Sequence, residues 1–432
     1  MIIVDAVLEQ REREGRPIRV GLVGSGYMGR GIALELFTPI AGMRLVAIAN
    51  RTLAGAERAY REAGAGAVTT VNSVETLESA IEAGQYAITD DAALLCRADG
   101  IDVVIECTGA IEFGAKVALD AIANRKHLVL MDCELDATVG PLLKRHADRN
   151  GVVVTNTDGD EPGVAMNLFR FVKMIGYRPL ATGNLKGLMD PHRTPETQRA
   201  FAEKAKQNAN MITSYADGTK LSMESTVLAN ATGFRVARRG MHGHRCAHVK
   251  DSLSLYNVDE LLEGGGIVDY LLGAEPHTGA FVLGYSDHPI KQQYMSTFKM
   301  GNGPLFAFYT PYHLPHLQIV GTVARAALFH DATITPRGEP VCDVLTTAKR
   351  DLKPGDVLDG LGGFTCYGQI DNAETVRQEN LLPMGVAEGC RVVRDIRQDR
   401  PLTYDDVELP EGRVIDRLRA EQAEYFSVSE VH

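Results

Sequence analysis

Residues 17–29 read Pro17-Ile18-Arg19-Val20-Gly21-Leu22-Val23-Gly24-Ser25-Gly26-Tyr27-Met28-Gly29, and they decide the fold of the first part of the chain. The mostly apolar start predicts a short buried strand, and a helical run, Gly31–Leu36, follows the glycines. Glycines at this spacing, between a strand and a helix, allow a tight turn that lets backbone N–H groups approach a pyrophosphate. The helix N-terminus adds partial positive charge. The segment therefore predicts a dinucleotide-binding loop, and the alternative is a glycine-rich turn in an unrelated α/β domain. The predicted loop residues are Gly24, Ser25, Gly26, Tyr27, Met28 and Gly29.

Strands and helices continue to alternate beyond this loop. Apolar runs predict further strands, and periodic segments between them predict helices. The predicted strands are 45–49, 103–106, 127–131 and 152–156, and the predicted helices are 113–124 and 139–150. An insertion at residues 74–99 is expected to hold a helix, a short strand at 86–89 and another helix. Alternation of this kind predicts a doubly wound parallel sheet, a Rossmann fold, over residues 1–158.

Two further strand ends are expected to complete the cofactor site. Asn50 and Arg51 follow the second strand, where an NAD site usually carries an acidic residue for the ribose hydroxyls. Arg51 can stack on adenine and pair with a 2′-phosphate, so we expect NADP, with NAD as the alternative. A solvated surface arginine is the competing interpretation. Cys107, Thr108 and Gly109 form a turn after strand 103–106, at the edge of the sheet where ligands bind in open α/β folds.

Length and composition bound the remaining possibilities. A chain of 432 residues predicts two or three domains, which we place at 1–158, 159–335 and 336–432. With 45 basic and 56 acidic residues the net charge is −11, so a nucleic-acid partner is not expected. The chain contains no run of about 18 apolar residues, so the sequence predicts no membrane span. Seven cysteines without a CxxC pair suit free thiols in a reducing cytoplasm.

Acidic residues directly follow the last predicted strand. Asp160 and Glu161 precede Pro162, which can start a helix over 164–175. These carboxylates can bind a substrate hydroxyl or a metal, and the alternative is helix capping in a solvated turn. From about residue 180 the alternation changes, and the pattern predicts an α+β catalytic domain.

Lys186 ends the predicted strand 180–186, beside Gly187 and near Asp190. A lysine in this position can donate a hydrogen bond to a carbonyl oxygen, stabilise developing alkoxide charge and carry a proton. The alternative is ordinary surface charge. We include Lys186 and Asp190 among the candidate catalytic residues.

Three more candidates lie further along the chain. Asn230 ends an apolar segment, 221–231, and can bind a substrate hydroxyl or cap a helix. His313 stands in the cluster Tyr309-Thr310-Pro311-Tyr312-His313-Leu314 and can act as a general acid or be a core histidine. Arg325 lies in the predicted helix 318–328, from which it can reach an anionic substrate.

The stretch 235–248 is rich in arginine and histidine and can bind a phosphate or carboxylate. A metal site is less favoured, because the spacing of its histidines matches no common ligand pattern, and a surface loop is the preferred interpretation.

The end of the chain predicts a small β-rich module. Residues 341–359 and 394–407 share a pattern of a charged residue, a turn, a short apolar strand and an acid, which resembles the opening of a SAF domain. The tail 413–425 predicts an amphipathic helix that docks on a partner subunit, so we expect a homo-oligomer.

Taken in order, these motifs resemble one family over nearly the whole chain. It is the homoserine-dehydrogenase-like group that includes the deoxyxylulose-phosphate reductoisomerase-like enzymes and the apionate oxidoisomerases. The motifs that carry the resemblance are Gly24–Gly29, Thr108-Gly109, Asp160-Glu161-Pro162, Asn230–Gly233, Pro311–Leu314 and the SAF-like tail.

The resemblance implies NADP-linked hydride transfer coupled to a carbon-skeleton rearrangement, commonly with a divalent metal such as Mg²⁺ or Mn²⁺. It implies that Lys186, Asn230, His313 and Arg325 surround a small polyhydroxylated, anionic carbonyl compound, and that Asp160 or Glu161 is an acid/base or metal ligand. Gly163-Val164 and Met189–Arg193 depart from the family pattern in loops expected to touch the substrate. Homoserine-type or simple sugar dehydrogenation without isomerisation therefore remains an alternative, as does a SAF-type carbohydrate-binding or assembly protein.

Overall fold

The computed structural model describes residues 3–38 and 40–428. The chain divides into two compact units. Unit 1 comprises the described residues within Met1–Asp160, Leu314–Thr335 and Arg417–His432, and unit 2 comprises Glu161–His313 and Pro336–Asp416. The predicted third domain stays a prediction, although most of its residues belong to unit 2 and its last helix lies mainly in unit 1.

In chain order, the strands of the described residues are β1 (Ile18–Val23), β2 (Met43–Ala49), β3 (Val68–Thr70), β4 (Tyr86–Thr89), β5 (Val103–Glu106), β6 (His127–Leu130), β7 (Val154–Asn156), β8 (Arg178–Lys186), β9 (His244–Arg245), β10 (Ile267–Leu272), β11 (Ala280–Tyr285), β12 (Leu305–Thr310), β13 (Cys342–Ala348), β14 (Cys366–Asn372), β15 (Arg391–Val392) and β16 (Val407–Glu408).

The α-helices of the same residues are α1 (Asp5–Arg13), α2 (Tyr27–Phe37), α3 (Leu53–Glu62), α4 (Val74–Glu82), α5 (Ala92–Arg97), α6 (Ile111–Ala123), α7 (Cys133–Asn150), α8 (Glu161–Met174), α9 (Arg199–Ala205), α10 (Ala209–Ala216), α11 (Thr219–Thr232), α12 (Val258–Glu263), α13 (Pro289–Thr297), α14 (Ile319–Phe329), α15 (Ala373–Gln378) and α16 (Val414–Val428). Within the part of the chain that the structure describes, none of these helices combines the length and the apolar character needed to cross a membrane.

Unit 1 is built on a seven-stranded sheet in the order β3-β4-β2-β1-β5-β6-β7, and each of its strand pairs is parallel. The central strands read as nearly continuous apolar runs because helices cover both faces of such a sheet. The predicted doubly wound Rossmann sheet is therefore confirmed. The helix, strand and helix predicted within 74–99 are confirmed as α4, β4 and α5. They are not an insertion, because β4 pairs with both β2 and β3 inside the sheet. The sequence analysis did not find β3, a short strand with little burial.

Two helices from late in the chain complete unit 1. On α14, Ile319 and Val323 are fully buried in the same apolar cluster as the strands of the sheet. On α16, the side chain of Gln422 accepts a hydrogen bond from the backbone N–H of Leu142 on α7. The tail is thus helical as predicted and contacts α7 of its own chain, and its docking on a partner subunit stays a prediction.

Unit 2 contains a five-stranded mixed sheet in the order β12-β11-β8-β10-β9. β8, β10 and β9 run parallel to one another, and β11 and β12 add to the other edge in antiparallel pairing. Two small antiparallel sheets follow, the β13–β14 ribbon and the β15–β16 pair. The predicted α+β centre and β-rich end are confirmed, whereas the resemblance of that end to a SAF domain stays a prediction.

Helix α11 is the central element of unit 2, because it packs against α8, β8 and β10 on one side and against the β13–β14 ribbon on the other. The hydroxyl of Thr219 accepts a hydrogen bond from the N–H of Gly368 in the ribbon, and the hydroxyl of Ser222 donates to the carbonyl of the same glycine. All 14 residues of α11 are buried as a result.

Unit 1 also encloses a buried ionisable group. Asp136 on α7 is shielded from water, and its carboxylate accepts a hydrogen bond from the side-chain amide of Asn156. Burial raises the pKa of Asp136 to about 7. A carboxyl group whose pKa is higher in the folded than in the unfolded chain stabilises the fold most at low pH. That contribution is lost as the pH rises through the folded-state pKa.

We therefore expect Asp136→Asn, which keeps an acceptor for Asn156 but cannot ionise, to unfold at higher urea concentration than the wild type at about pH 8. The gain should be about 1–3 kcal/mol at pH 8 and smaller at pH 5, because it disappears only as the pH falls to the pKa of an unfolded aspartate, about 3.9. Asp148→Asn on the exposed face of the same helix is the matched control. Coincident urea curves for wild type and Asp136→Asn at both pH values would refute the assignment.

Candidate functional site

The loop between β1 and α2 in unit 1 requires its glycines. Gly24 has a φ of +99°, and a Cβ on it would lie 3.1 Å from the carbonyl oxygen of Cys107. A Cβ on Gly29 would lie 2.2 Å from the carbonyl oxygen of Gly24. Side chains at these two positions would therefore disrupt the turn and its packing against the residues that follow β5.

The outer side of this loop fits a dinucleotide. Gly26 is the N-cap of α2 and contributes no side-chain hydrogen bond to the helix, and a Cβ on it would meet no atom within 4 Å. Tyr27 and Met28 form the first turn of the helix, and such a turn presents backbone N–H groups. Partial positive charge and unobstructed backbone donors are the features that hold a diphosphate.

The ends of β2 and β5 lie beside the loop. The backbone N–H of Ser25 donates to Oδ1 of Asn50 at 3.1 Å, so Asn50 ties the loop to the end of β2. Arg51 next to it is exposed, and its guanidinium forms an ion pair with no residue that the structure describes. Thr108, after β5, donates from its N–H to Glu106 at 2.9 Å, and Gly109 has a φ of +69°. Unit 1 thus brings the predicted cofactor-binding residues together.

A second group of predicted residues meets inside unit 2. Lys186 is the last residue of β8, and Glu161 is the first residue of α8. The Nζ of Lys186 lies 3.0 Å from Oε1 of Glu161 and 3.7 Å from Oε2 of Glu224 on α11. The side chains are 14%, 6% and 1% exposed respectively, so this charged cluster is almost entirely withdrawn from water.

Glu224 is held by two further side chains. The amide of Asn184, two residues before Lys186 on β8, donates to Oε2 of Glu224 at 2.7 Å. The Nζ of Lys220, one turn earlier on α11, lies 4.0 Å from Oε1. The carboxyl group of Glu224 is therefore fixed in orientation between two lysines.

His313 lies next to the cluster, near Glu161. Its Nδ1 lies 3.9 Å from Oε1 of Glu161 and forms a 2.8 Å hydrogen bond with the hydroxyl of Thr278. The imidazole is partly exposed, so it provides a polar group next to the buried charges.

The electrostatics of the cluster favour proton exchange near neutrality. Burial raises the pKa of Glu224 to about 7, and the negative charge of Glu161 raises it as well, while Lys186 and Lys220 oppose the shift. A carboxyl group with a pKa near 7 can both give and take a proton under physiological conditions.

The same geometry does not fit the Mg²⁺ or Mn²⁺ that the resemblance implies. Such ions require several oxygen ligands around one position. Between Glu161 and Glu224 lies the ammonium group of Lys186, which already compensates their charge. Within unit 2, the carboxylates of Glu161 and Glu224 therefore pair with Lys186 and do not fit as ligands of such an ion.

Asp160 and Asn230 occupy different surroundings. Asp160 is buried and is the last residue of the first segment of unit 1. Asn230 is buried on α11, and its Oδ1 accepts hydrogen bonds from the N–H groups of Val341 and Cys342 at 2.8 and 3.1 Å. Asn230 therefore holds the start of β13 to the helix, and we leave it out of the proposed catalytic group.

Asp190 and Arg325 also have structural partners. Asp190 accepts a hydrogen bond from the N–H of His192 and pairs with Arg193 at 2.9 Å in a loop. Arg325 is fully buried in unit 1, and its guanidinium pairs with Asp331 at 2.7 Å and with Asp158 at 3.5 Å. This placement does not support the prediction that Arg325 binds an anionic substrate.

Sequence reasoning missed Lys220, Glu224 and Asn184. The helix that carries the first two was read as an apolar segment, 221–231. A usable signal was nevertheless present, because Lys220 and Glu224 are the charged residues of a run of small and apolar residues and are spaced i, i+4. Charged residues in an otherwise buried helix indicate a functional network or a buried ion pair.

A central segment of the chain, most of it in unit 2, matches a known family. Residues 159–319 match the family model described as oxidoreductase DRL, catalytic domain. This segment, less than half of the chain, contains Glu161, Lys186, Glu224 and His313. The match agrees with the resemblance drawn from the sequence and shows that this segment is similar to an oxidoreductase catalytic domain. No match was found among curated proteins.

Several solved structures are similar to parts of the chain. An NAD-binding oxidoreductase from Klebsiella pneumoniae is 21% identical, with 41% of this chain and 45% of that chain covered and a TM-score of 0.29. A scyllo-inositol dehydrogenase from Lactobacillus casei, with bound NAD(H) and scyllo-inositol, is 14% identical, with 63% and 74% covered and a TM-score of 0.36. A levoglucosan dehydrogenase in complex with NADH and L-sorbose is 20% identical, with 41% and 46% covered and a TM-score of 0.29. The chain thus spans less than half the length of the first and third of these proteins.

Proposed function

We propose that this chain is an NADP-dependent oxidoreductase that interconverts a hydroxyl and a carbonyl group on a small, polyhydroxylated, anionic compound. Unit 1 binds the dinucleotide through the Gly24–Gly29 loop, and Lys186 in unit 2 exchanges the proton with the substrate oxygen. The observation that carries the proposal is the buried Lys186 with Glu161 at 3.0 Å and Glu224 at 3.7 Å.

A purely structural role is a poor explanation of this cluster. Withdrawing several charged groups from water costs free energy that their mutual attraction often fails to recover, so buried ion clusters contribute little net stability. Carboxyl groups with a shifted pKa beside a lysine are, by contrast, typical of sites of acid–base chemistry. The match of this segment to an oxidoreductase catalytic domain supports the same interpretation.

The proposed chemistry divides between cofactor and side chains. When bound, the nicotinamide supplies or accepts the hydride with its electron pair. In the reduction direction, the ammonium group of Lys186 donates a hydrogen bond to the carbonyl oxygen and then transfers its proton to the developing alkoxide. In oxidation the same nitrogen removes the hydroxyl proton, so that one proton and one hydride are accounted for in each direction.

Glu224 is proposed to restore the protonation state of Lys186. Its pKa of about 7 lets it hold a proton at slightly acidic pH and release it at slightly basic pH. Asn184 and Lys220 fix the orientation of this carboxyl group, while Glu161 keeps Lys186 in place. Glu224 therefore acts through Lys186 and is a positioning and relay residue.

The identity of the substrate rests on the polar groups around the cluster. Thr278 and His313 form a hydrogen-bonded pair that can bind the hydroxyl groups of a polyhydroxylated compound. The resemblance favours a sugar acid or sugar phosphate and an accompanying carbon-skeleton rearrangement. Homoserine-type and simple sugar dehydrogenation are the alternatives.

A substrate screen distinguishes these alternatives. NADPH consumption and NADP⁺ reduction would be followed with sugar acids, sugar phosphates and free sugars, and with homoserine and its semialdehyde. Products would be checked by NMR for a rearranged skeleton. Turnover of homoserine alone would overturn the proposed substrate class. Absence of NADPH and NADH binding at millimolar concentration would leave a carbohydrate-binding or assembly protein as the better explanation.

Lys186→Met removes the proposed proton donor while keeping a side chain of similar length. We expect kcat to fall by about 10²–10⁴-fold in both directions, because general acid–base catalysis contributes about that much. The dissociation constant of NADPH, measured by fluorescence titration, should stay the same.

Lys173→Met, an exposed lysine on α8, is the matched control and should leave kcat unchanged. Full activity of a correctly folded Lys186→Met protein would remove Lys186 from the mechanism.

Glu224→Gln tests the relay. In the wild type, kcat for reduction should decline as the pH rises through about 7, because the proposed proton source becomes ionised. For oxidation the dependence should be reversed. Glu224→Gln should lose this inflection while remaining folded, and Glu203→Gln on exposed α9 should retain it. An unchanged pH profile in Glu224→Gln would assign the inflection to another group.

Arg51→Ala tests the choice of cofactor. An exposed arginine that pairs with the 2′-phosphate forms charge-assisted hydrogen bonds worth about 1.5–3 kcal/mol. We expect the KM for NADPH to rise by about 10- to 100-fold, with the KM for NADH unchanged. Arg61→Ala at the end of α3 serves as the control. Equal effects of Arg51→Ala on both cofactors, or a wild-type preference for NADH, would favour NAD.

A further inference from the structure

Two histidines and an aspartate converge at the edge of the unit 2 sheet. His242 and His244 flank Gly243, just before and within β9, and Asp269 lies in the middle of β10. One ligand atom from each of the three side chains lies within 4.8 Å of the other two. The two imidazole rings are stacked, with centroids 5.0 Å apart and an interplanar angle of 16°.

The group of His242, His244 and Asp269 is separate from the charged cluster around Lys186. In the parallel pairing of β10 with β8, Tyr270 lies opposite Asn184 and Asp269 lies opposite Gly183. Successive residues of a strand point to opposite faces of the sheet. Because Asn184 reaches Glu224 on α11, Asp269 points to the other face, where its strand neighbours Ile267 and Leu271 are part of a different apolar core.

Asp269 is a fully buried carboxylate with an unusual set of partners. Its Oδ1 accepts hydrogen bonds from the N–H groups of His242, Gly243 and Tyr270, at 3.0, 3.0 and 2.8 Å. Its Oδ2 accepts one, from the hydroxyl of Tyr256 at 3.0 Å. No lysine or arginine among the described residues forms an ion pair with it. Oδ2 therefore retains a lone pair, and the buried charge has no fixed positive counterpart within the described chain.

We propose that His242, His244 and Asp269 bind a divalent transition-metal ion of the zinc type. Buried charges are normally paired or coordinate a metal, and two imidazoles with one carboxylate are ligands that Zn²⁺ and Co²⁺ accept readily. The ligand set selects against Mg²⁺, which prefers oxygen ligands and retains its water. The ion balances the charge of Asp269 and adds a link between the edge strand β9 and β10.

The surroundings of the three residues suit such a site. Both histidines are partly exposed, so an ion can enter and a water molecule can complete the coordination. The N–H groups of His242 and Gly243 already hold the carboxylate in place, and the ring of Tyr256 packs edge-on against His244 at 4.9 Å. Metal–nitrogen distances are about 2.0–2.1 Å, so the side chains, whose ligand atoms lie within 4.8 Å of one another, move inward to coordinate one ion.

The test uses the full chain, stripped of metal with a chelator and titrated with Co²⁺. Tetrahedral or five-coordinate Co²⁺ gives a visible absorption spectrum that reports nitrogen ligands directly. We expect saturation at one equivalent per chain, competition by Zn²⁺, no competition by millimolar Mg²⁺, and a higher Tm in the loaded protein. These readouts are independent of oxidoreductase activity. The metal site can therefore be refuted while the proposed function stands, and the proposed function can be refuted while the metal site stands.

His242→Phe and His244→Phe keep the ring packing but remove the nitrogen ligands. Each should abolish the stoichiometric Co²⁺ spectrum while the Tm of the metal-free variant stays close to that of the metal-free wild type. His277→Ala, an exposed histidine in the same unit, should bind Co²⁺ as the wild type does. A wild type that shows no stoichiometric spectrum overturns the proposal, as does a spectrum that persists in both phenylalanine variants.

Discussion

The complete burial of α11 is the constraint on which unit 2 depends. In a helix with no exposed residue the charged side chains need partners, because an unpaired buried charge is far more costly than an exposed one. Asn230 binds the start of β13, and Glu224 satisfies this requirement through Asn184 and Lys186 on β8. The position of the helix between sheet and ribbon therefore also fixes the distances in the charged cluster.

The two units contribute different kinds of chemistry to the proposed function. Unit 1 offers backbone groups, because its glycine loop has little side chain and its donors are main-chain amides. Unit 2 offers side chains, with two lysines, two glutamates and a histidine, and burial raises the pKa of Glu224 among them. The first kind of site tolerates changes in the surrounding residues, whereas the second is sensitive to any change that admits water.

The sequence predicted the parallel sheet of unit 1 well, because strands covered on both faces leave continuous apolar runs and the glycines between β1 and α2 are spaced for one turn. It also predicted Lys186, Glu161 and His313, which the structure brings together.

The sequence could not place Arg325, since whether an arginine faces a substrate or pairs with Asp331 depends on how α14 docks. Glu224 was overlooked for a related reason: the burial of its helix comes from β14, far later in the chain. The same limit hid Asp269 as a third partner for the two histidines.

The position of α14 and α16 late in the sequence has a consequence for how the chain folds during translation. The seven-stranded sheet is synthesised first, but α14 and α16, which complete unit 1, emerge only after most of unit 2 has been made. Until then the apolar surface that Ile319 and Val323 later bury stays open to solvent and to other nascent chains. Unit 1, although its sheet is made first, is therefore the part of the molecule that stays incomplete until the last helix has been translated.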